Sequence, residues 1–235
     1  MSLTRVNNIT SNLTVDGTLT TTSTGTSLTS NSYNVVKIQT DKDDNGSNDD
    51  GILQFTNGSS NTVKGEIRYD ESEAMFEIGH GDNQGHLRID ASGRVTKPSQ
   101  PSFGAYQASA NYTGGSGYGK MIADGTRWNE GNHYSTANSR FTAPIAGVYH
   151  FSAHVNCYSI ADDHLFGIQI YVNGSTHTFG NRLWSRGAND MVVSMSHTIK
   201  LDAADYVEVY KYSNDASHGF SSGATWNTFS GFLVG

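Results

Sequence analysis

The chain has 235 residues with a formal net charge of −7, 35% apolar residues, 11% aromatic residues and 26 Gly against 3 Pro. Only 15 residues are Lys or Arg, so the basic stripe that a nucleic-acid surface needs is missing, and we expect no nucleic-acid partner. No apolar run reaches the length of a membrane span, and the first residues hold no apolar core of a secretory signal, so we expect neither membrane insertion nor that export route. Abundant Gly, Tyr and Phe, without an apolar period of 3.6 residues, predict an all-β fold.

Residues 1–40 are rich in Ser and Thr, which make up 11 of the 15 residues from 18 to 32. Two interpretations are open: a flexible polar linker, or strands that pair with copies of the same chain. Apolar residues at mostly even spacing around an Asp-Gly turn favour the strands. The run NLTVDGTL at 12–19 resembles repeats in the fibre proteins of tailed bacteriophages, in which three chains wrap around one axis. The resemblance implies that residues 1–40 form a fibre segment that attaches the chain to other virion proteins.

The acidic stretch at the start of the next region offers a candidate metal site. Asp41, Asp43 and Asn45 stand at alternate positions before a Gly, as in the first half of a calcium-binding loop. The twelfth position of that motif needs a bidentate Glu, but Ile52 stands there. A solvated acidic turn is therefore the favoured interpretation, and calcium in another geometry stays open. No other cofactor is expected.

Residues 41–97 continue as short β-prone runs separated by turns. The runs are GILQFTNG, KGEIRYDE, AMFEIGHG and HLRIDASGRV. They predict an antiparallel meander of at least four strands, with few large apolar residues in each strand. Such a region is marginal as an isolated unit, so we expect it to be a shaft that packs on neighbours. The two prolines at 98 and 101 mark a candidate hinge after it.

Residues 98–235 contain all three Trp and the clearest strands, which predict a two-sheet sandwich. The order of motifs resembles the globular head of the complement C1q family, within the jelly-roll superfamily of tumour necrosis factor. The matching stretches are 101–105, 141–151, 170–174, 201–209 and 228–234. The resemblance implies an antiparallel jelly-roll knob. The collagen stalk of that family is absent, and the phage-like stretches stand where it would be.

Two strands of this region, at 140–155 and at the C-terminus, carry apolar residues on both faces. The resemblance implies three jelly rolls around a threefold axis, which would cover the second face. We therefore predict a homotrimer whose interface contains His150, His154, Phe232 and Val234. Metal binding by the two histidines with a third ligand from another strand is the less favoured alternative.

Six aromatic residues lie in stretches rich in Gly, Asn and Ser, where sugar rings could stack on them. These candidate ligand-binding residues are Tyr112, Tyr118, Trp128, Tyr134, Trp184 and Trp226. The alternative is that they fill the ends of the sandwich or the seam between subunits. The single cysteine, Cys157, is predicted to be a small buried residue. Neither a carboxylate pair, a Cys/His pair nor a nucleophile elbow assembles, so we expect no enzymatic activity.

Together these features predict a homotrimeric structural fibre protein on the virion surface of a tailed bacteriophage, made in the host cytoplasm. Its C-terminal knob would bind the host surface, with a glycan or another receptor as partner. Two alternatives stay open: a head-fibre or decoration protein of the capsid, and a secreted bacterial adhesin with the same knob.

Overall fold

The computed structural model describes residues 50–57, 62–81, 83–187 and 189–235, which belong to one compact unit, Asn48–Gly235. The predictions for residues 1–40, and for Asp41, Asp43 and Asn45, lie outside the described residues. Every regular element in the described part is a β-strand, which confirms the all-β prediction. Among these residues no helix has the length and apolar character needed to cross a membrane.

The first five strands form one antiparallel sheet, called the middle sheet here, in which each strand pairs with the next along the chain. They are β1 Gly51–Asn57, β2 Thr62–Asp70, β3 Met75–His80, β4 Asn83–Asp90 and β5 Val95–Thr96. In β2, Val63, Ile67 and Tyr69 alternate with charged residues, and this two-residue period gives the strand one apolar and one charged face. The antiparallel meander predicted from the sequence is therefore present, and it has five strands, where at least four were predicted.

The other strands form two antiparallel sheets that pack face to face. Sheet 1 consists of β6 Ser102–Tyr106, β7 Tyr112–Thr113, β9 Gly125–Glu130, β12 Gly147–Ile160, β15 Asn189–Leu201, β17 Gly219–Phe220 and β18 Thr228–Leu233. Sheet 2 consists of β8 Gly117–Lys120, β10 Tyr134–Ser135, β11 Arg140–Thr142, β13 Leu165–Val172, β14 Ser175–Trp184 and β16 Tyr206–Ser213. This confirms the two-sheet antiparallel sandwich expected for a jelly roll.

Sheet 1 is built around β12, the longest strand in the described residues. One edge of β12 pairs with β15, and the other edge pairs with β18 and then with β17. In sheet 2, β16 pairs with β13 along one edge and with β11 and β8 along the other. β13 turns into β14 through Asn173 and Gly174, which both have positive φ and therefore fit the two-residue hairpin turn that matches the twist of the strands.

The hydrophobic core lies between the two sheets. Every second residue of β12 from Tyr149 to Val155 is buried, and so are Phe166, Ile168 and Ile170 of β13. Phe103 holds the aromatic end of the core together, with ring centres 4.7 to 5.1 Å from Tyr134, Phe141 and Phe229. The residues that alternate with these buried ones point outward on both sheets. These outward faces are the candidate functional surfaces.

Candidate functional site

The middle sheet carries its apolar side chains on one face. Two rows run across the strands: Tyr69, Phe76, Ile89 and Val95 are successive register partners, and so are Leu53, Ile67, Ile78 and Leu87. Phe55 extends the same face beside Gly65. Because partners in an antiparallel pair project to the same side, nine apolar side chains form one continuous surface. We call it the apolar face of the middle sheet.

Much of the apolar face is open to solvent. Its six most exposed residues range from 39% exposed for Phe76 to 59% for Val95. Single apolar side chains on a surface are ordinary, but an adjoining set across five strands is rare on a monomer and marks an interaction surface. The signal for this surface in the sequence is the strict alternation of TVKGEIRYD at 62–70.

The opposite face of the middle sheet is charged, and ion pairs hold several of its side chains. The Nε atom of Arg68 lies 3.0 Å from Asp50, and the same guanidinium also contacts Asp70. On the next strands Arg88 lies 2.9 Å from Glu77, whose carboxylate is buried beneath it. Glu66 is buried on the same face and accepts from the Gln54 amide at 3.1 Å. Charged groups therefore dominate this face, and the two faces of the sheet differ in what would cover them.

The outward face of sheet 1 is mostly polar, unlike the apolar strip that the two-faced strands suggested. The ring of His150 lies 3.1 Å from Thr198 Oγ1 and 3.0 Å from Ser196 Oγ. The ring of His154 lies 2.9 Å from Thr228 Oγ1 and 3.1 Å from the carbonyl oxygen of Thr225. Hydroxyl and carbonyl groups thus hold both imidazoles in place, and the described residues contain no metal-binding cluster of three or more His, Cys, Asp or Glu.

Two of the exposed apolar residues on this face lie near the C-terminal end of the chain. Phe232 and Val234 are half exposed there, and the Phe232 ring lies 5.5 Å from that of His150. The C-terminal residues are held in place because the Val234 N–H donates to the Val148 carbonyl at 2.7 Å. The structure thus brings His150 and Phe232 together, while the placement of these residues at a trimer interface stays a prediction.

The six aromatic candidates are spread over the sandwich. Tyr118, Trp128, Trp184 and Trp226 are half exposed. Five of the six lie in strands of the two sheets, including Tyr112 in the short strand β7, and only Trp226 lies in a connection. Ligand binding by the exposed members of this set stays a prediction.

The prediction for Tyr134 is wrong because its ring lies in the core, where no ligand can reach it. Tyr134 stacks on Phe103, and its hydroxyl donates to the Ala123 carbonyl at 2.8 Å. Burial raises the pKa of this phenol. The Asn129 side chain fixes the backbone of Tyr134, since it accepts from the Tyr134 N–H at 3.0 Å and donates to the Tyr134 carbonyl at 2.9 Å.

The indole of Trp128 lies over Gly104 on the outward face of sheet 1. The two residues are register partners, and a Cβ at position 104 would stand 2.3 Å from the indole ring. Gly104 is therefore the residue that lets the indole lie flat on the strand. Trp128 covers backbone with one side of its ring and has only the other available to a ligand.

A buried polar cluster, which no local pattern in the sequence indicates, lies at one end of the sandwich. Lys211 is buried, and its ammonium donates to the carbonyls of Gly115 and Gly117. His218 is also buried, with Nδ1 3.0 Å from the Asp215 carbonyl oxygen. Burial lowers the pKa of both groups. The prediction that Cys157 is buried is confirmed, and burial raises the pKa of its thiol to about 12, so it is a poor nucleophile.

Residues 105–234, more than half of the chain, match the C1q domain family. The chain therefore belongs to the C1q domain family, which confirms the resemblance seen in 98–235. Over 102 residues it is 30% identical to "Phage-like element PBSX protein XkdV" of Bacillus subtilis (strain 168). That match covers 40% of this chain but only 14% of XkdV, so the chain corresponds to a small part of that protein. The predicted resemblance to phage proteins with a C-terminal C1q-like domain is confirmed at this level.

Solved structures with a similar fold include the globular domain of zebrafish complement 1qA and murine APRIL. The zebrafish domain is 15% identical with a TM-score of 0.46, and the match covers 58% of this chain and 98% of that one. Murine APRIL at pH 8.5 is 9% identical with a TM-score of 0.43, covering 57% of this chain and 99% of that one. Both TM-scores lie below 0.5, so the family assignment depends on the sequence match alone.

Proposed function

We propose that the chain is a homotrimeric, non-enzymatic fibre protein of a phage virion whose C1q domain faces outward and binds the host surface. In this proposal residues 41–97 form a shaft, 98–235 form the knob, and 1–40 attach the chain to other virion proteins. The similarity to a protein of a phage-like element supports the virion assignment. The family match supports a separate knob domain over residues 105–234.

The observation that carries the proposal is the apolar face of the middle sheet. Fully burying one large apolar side chain is worth about 1.5–3 kcal/mol, so covering one that is already half buried gains roughly 1 kcal/mol. The face has nine apolar residues, six of them 39–59% exposed, and ion pairs hold several of the charged side chains on the opposite side. Three copies around an axis parallel to the strands would each turn this face inward and leave the charged face in water. The same arrangement would place the three knobs side by side.

The test of assembly is the mass of the purified full chain in solution, measured by light scattering. A homotrimer requires a mass near three times 25.4 kDa. A stable monomer would overturn the fibre proposal, because the apolar face would then be open to water in a stable protein. The same measurement with a chelator tests the calcium alternative for the acidic stretch, since loss of the trimer would reveal a structural cation.

The test of host recognition is adsorption of the labelled full chain to a panel of bacterial cells. Saturable binding to some strains, and competition with phage that infect those strains, is the expected outcome. Labelled antibody against the knob, viewed by electron microscopy on virions, distinguishes a tail fibre from a head fibre or decoration protein. A reducing-end assay on the bound polysaccharide is expected to show no cleavage, and release of new ends would replace the binding proposal with an enzymatic one.

A further inference from the structure

The outward face of sheet 2 is covered with aromatic rings. We call it the tyrosine face, and its rings belong to Tyr118, Tyr171, Phe179, Tyr206, Tyr210 and Tyr212. The rings of Tyr118 and Tyr212 lie 4.8 Å apart, and those of Tyr171 and Tyr210 stack at 3.9 Å. Tyr118 and Phe179 are half exposed. Adjacent ring faces held on a rigid sheet suit the apolar side of a sugar ring.

Arg182 lies across this face in a gap that Gly167 leaves open. Gly167 is the register partner of Arg182 on one side and of Tyr212 on the other, so it separates them by one strand. The Arg182 guanidinium crosses that strand and lies 4.7 Å from the ring centre of Tyr212 and 5.3 Å from that of Phe179. A Cβ at position 167 would stand 2.8 Å from Arg182 Cγ. The glycine therefore creates the path along which the arginine reaches the tyrosine.

The tyrosine face is cationic on an acidic chain. It carries Lys120, Arg140 and Arg182 against one carboxylate, Glu208, which Lys120 already pairs at 2.9 Å. Arg140 stacks over the ring of Tyr206 at 4.5 Å. Within the described residues neither Arg140 nor Arg182 makes an ion pair with a carboxylate. A guanidinium stacked on a ring keeps the N–H groups at its edge free, and these match a carboxylate in geometry.

A buried amide lies in the middle of the same face. Gln169 is the register partner of Tyr210 and Phe179, on the outward side of β13. It is 1% exposed, and neither atom of its side-chain amide has a hydrogen-bond partner within the described part of the chain. Buried amides nearly always have partners in proteins. An amide buried this deeply could pair with a ligand hydroxyl only where one of the rings above it moves aside.

We propose that the tyrosine face binds an acidic saccharide, with a sugar ring on the half-exposed ring of Tyr118 and its carboxylate on Arg182. This rests on the proposed function, because it identifies the class of host-surface ligand that the knob would take. Charge complementarity selects the acid, and the ring faces select a sugar over other anions. Of the aromatic candidates from the sequence, Tyr118 belongs to this site.

The experiment measures binding of the full chain to three probes by isothermal titration. Oligogalacturonate has acidic groups and sugar rings, a dextran oligomer has rings without acid, and polyglutamate has acid without sugar rings. Oligogalacturonate is expected to bind more tightly than either of the others by about tenfold or more, as for a contact with a charged hydrogen bond. Equal binding of polyglutamate would overturn the stacking role of the rings. Equal binding of dextran would overturn the role of Arg182.

Variants locate the site. Both R182A and G167A should weaken oligogalacturonate binding about tenfold or more, the second because its Cβ displaces Arg182 while leaving the charge. Y118A removes a half-exposed ring from a short strand, so it tests stacking with little effect on folding. K64A removes an equal charge from the exposed middle sheet and should leave binding unchanged. Unchanged binding in R182A and Y118A, with unaltered thermal unfolding and mass, would overturn the site.

Cell adsorption separates this proposal from the broader one. If the wild-type chain and R182A adsorb equally to host cells, the host-binding function stands and the tyrosine face is not its site. If the wild-type chain binds oligogalacturonate through Arg182 but adsorbs to no cells, the site is real and the proposed function fails. R182K is expected to bind with intermediate affinity, because it keeps the charge and loses the planar stacking group.

Discussion

Val95 and Thr96 are neighbours on β5, yet their side chains leave opposite faces of the middle sheet. Val95 is the register partner of Ile89 and ends a row of apolar residues, whereas Thr96 is the partner of Arg88 on the charged face. Both residues are exposed in the single chain. Substitutions at these two positions change opposite faces of the same strand. Comparing them therefore tests which face of the sheet a neighbouring subunit covers.

The first prediction uses this pair. Val95→Asp places a carboxylate on the apolar face, where burial against another subunit would cost several kcal/mol without a partner. We expect the mass measured by light scattering to fall from that of a trimer to that of a monomer. Thr96→Asp, the matched control, adds the same group beside Arg88 and should keep the trimer. Dissociation by Thr96→Asp alone would place the interface on the charged face instead.

The second prediction concerns the knob. If Phe232 packs against a neighbour near the threefold axis, Phe232→Asp should yield a monomer or an insoluble protein. Tyr118→Asp is the control, because it changes an equally exposed aromatic residue of sheet 2 and should leave the mass unaltered. A stable trimer from Phe232→Asp would remove this face from the interface, and assembly would then depend on the middle sheet.

Much of the fold follows from local patterns in the sequence. The alternation in β2 and β12 predicts strands, and a turn such as Asn173-Gly174 predicts a hairpin, because each depends on residues that are close along the chain. The jelly-roll order came from a resemblance of motifs and not from these patterns. The outward face of β12 shows what this pattern cannot predict. Alternation of apolar and polar residues separates the two faces of a strand, but it does not tell what covers the outer face.

The candidate sites depend on contacts between distant strands, which spacing cannot supply. Arg182 reaches Tyr212 only because β13 lies between β14 and β16 and has a glycine at the crossing. Tyr134 lies among polar residues that are typical of a loop, but the Asn129 side chain pairs with its backbone and turns its ring inward. In both cases a single residue outside the local pattern decides the outcome.

The third prediction tests the buried state of Cys157, the one cysteine of the chain. Because its thiol is fully buried and its pKa is raised to about 12, the reactive thiolate is scarce and shielded. A thiol-reactive chromogenic disulfide at mildly alkaline pH should therefore label almost none of the native protein, and one thiol per chain in denaturant. Rapid labelling of native protein would show that this end of the sandwich opens, and free cysteine serves as the rate control.

The fourth prediction concerns Asp215, a buried carboxylate that holds two loops. One of its oxygens accepts from the Ser217 N–H at 2.8 Å and the Ser217 hydroxyl at 3.0 Å, and the other accepts from the Ala161 N–H at 2.7 Å. Burial alone would raise the pKa of Asp215, but these hydrogen bonds together lower it. Asp215→Asn replaces one acceptor by a donor that faces an N–H, so we expect a loss of about 1–3 kcal/mol in the free energy of unfolding at neutral pH.

The pH dependence of that loss follows from the direction of the pKa shift. A carboxyl group with a lowered pKa in the folded state stabilises the protein fully above its ordinary pKa of 3.8, and this contribution disappears as the pH falls through the lower folded-state value. Denaturant titrations should therefore show a constant difference between wild type and Asp215→Asn near neutral pH, which narrows in acid. Asp202→Asn, at an exposed carboxylate, is the control and should change stability little at any pH. A difference that stays constant down to strongly acidic pH would mean that the loss comes from packing and not from the charged acceptor.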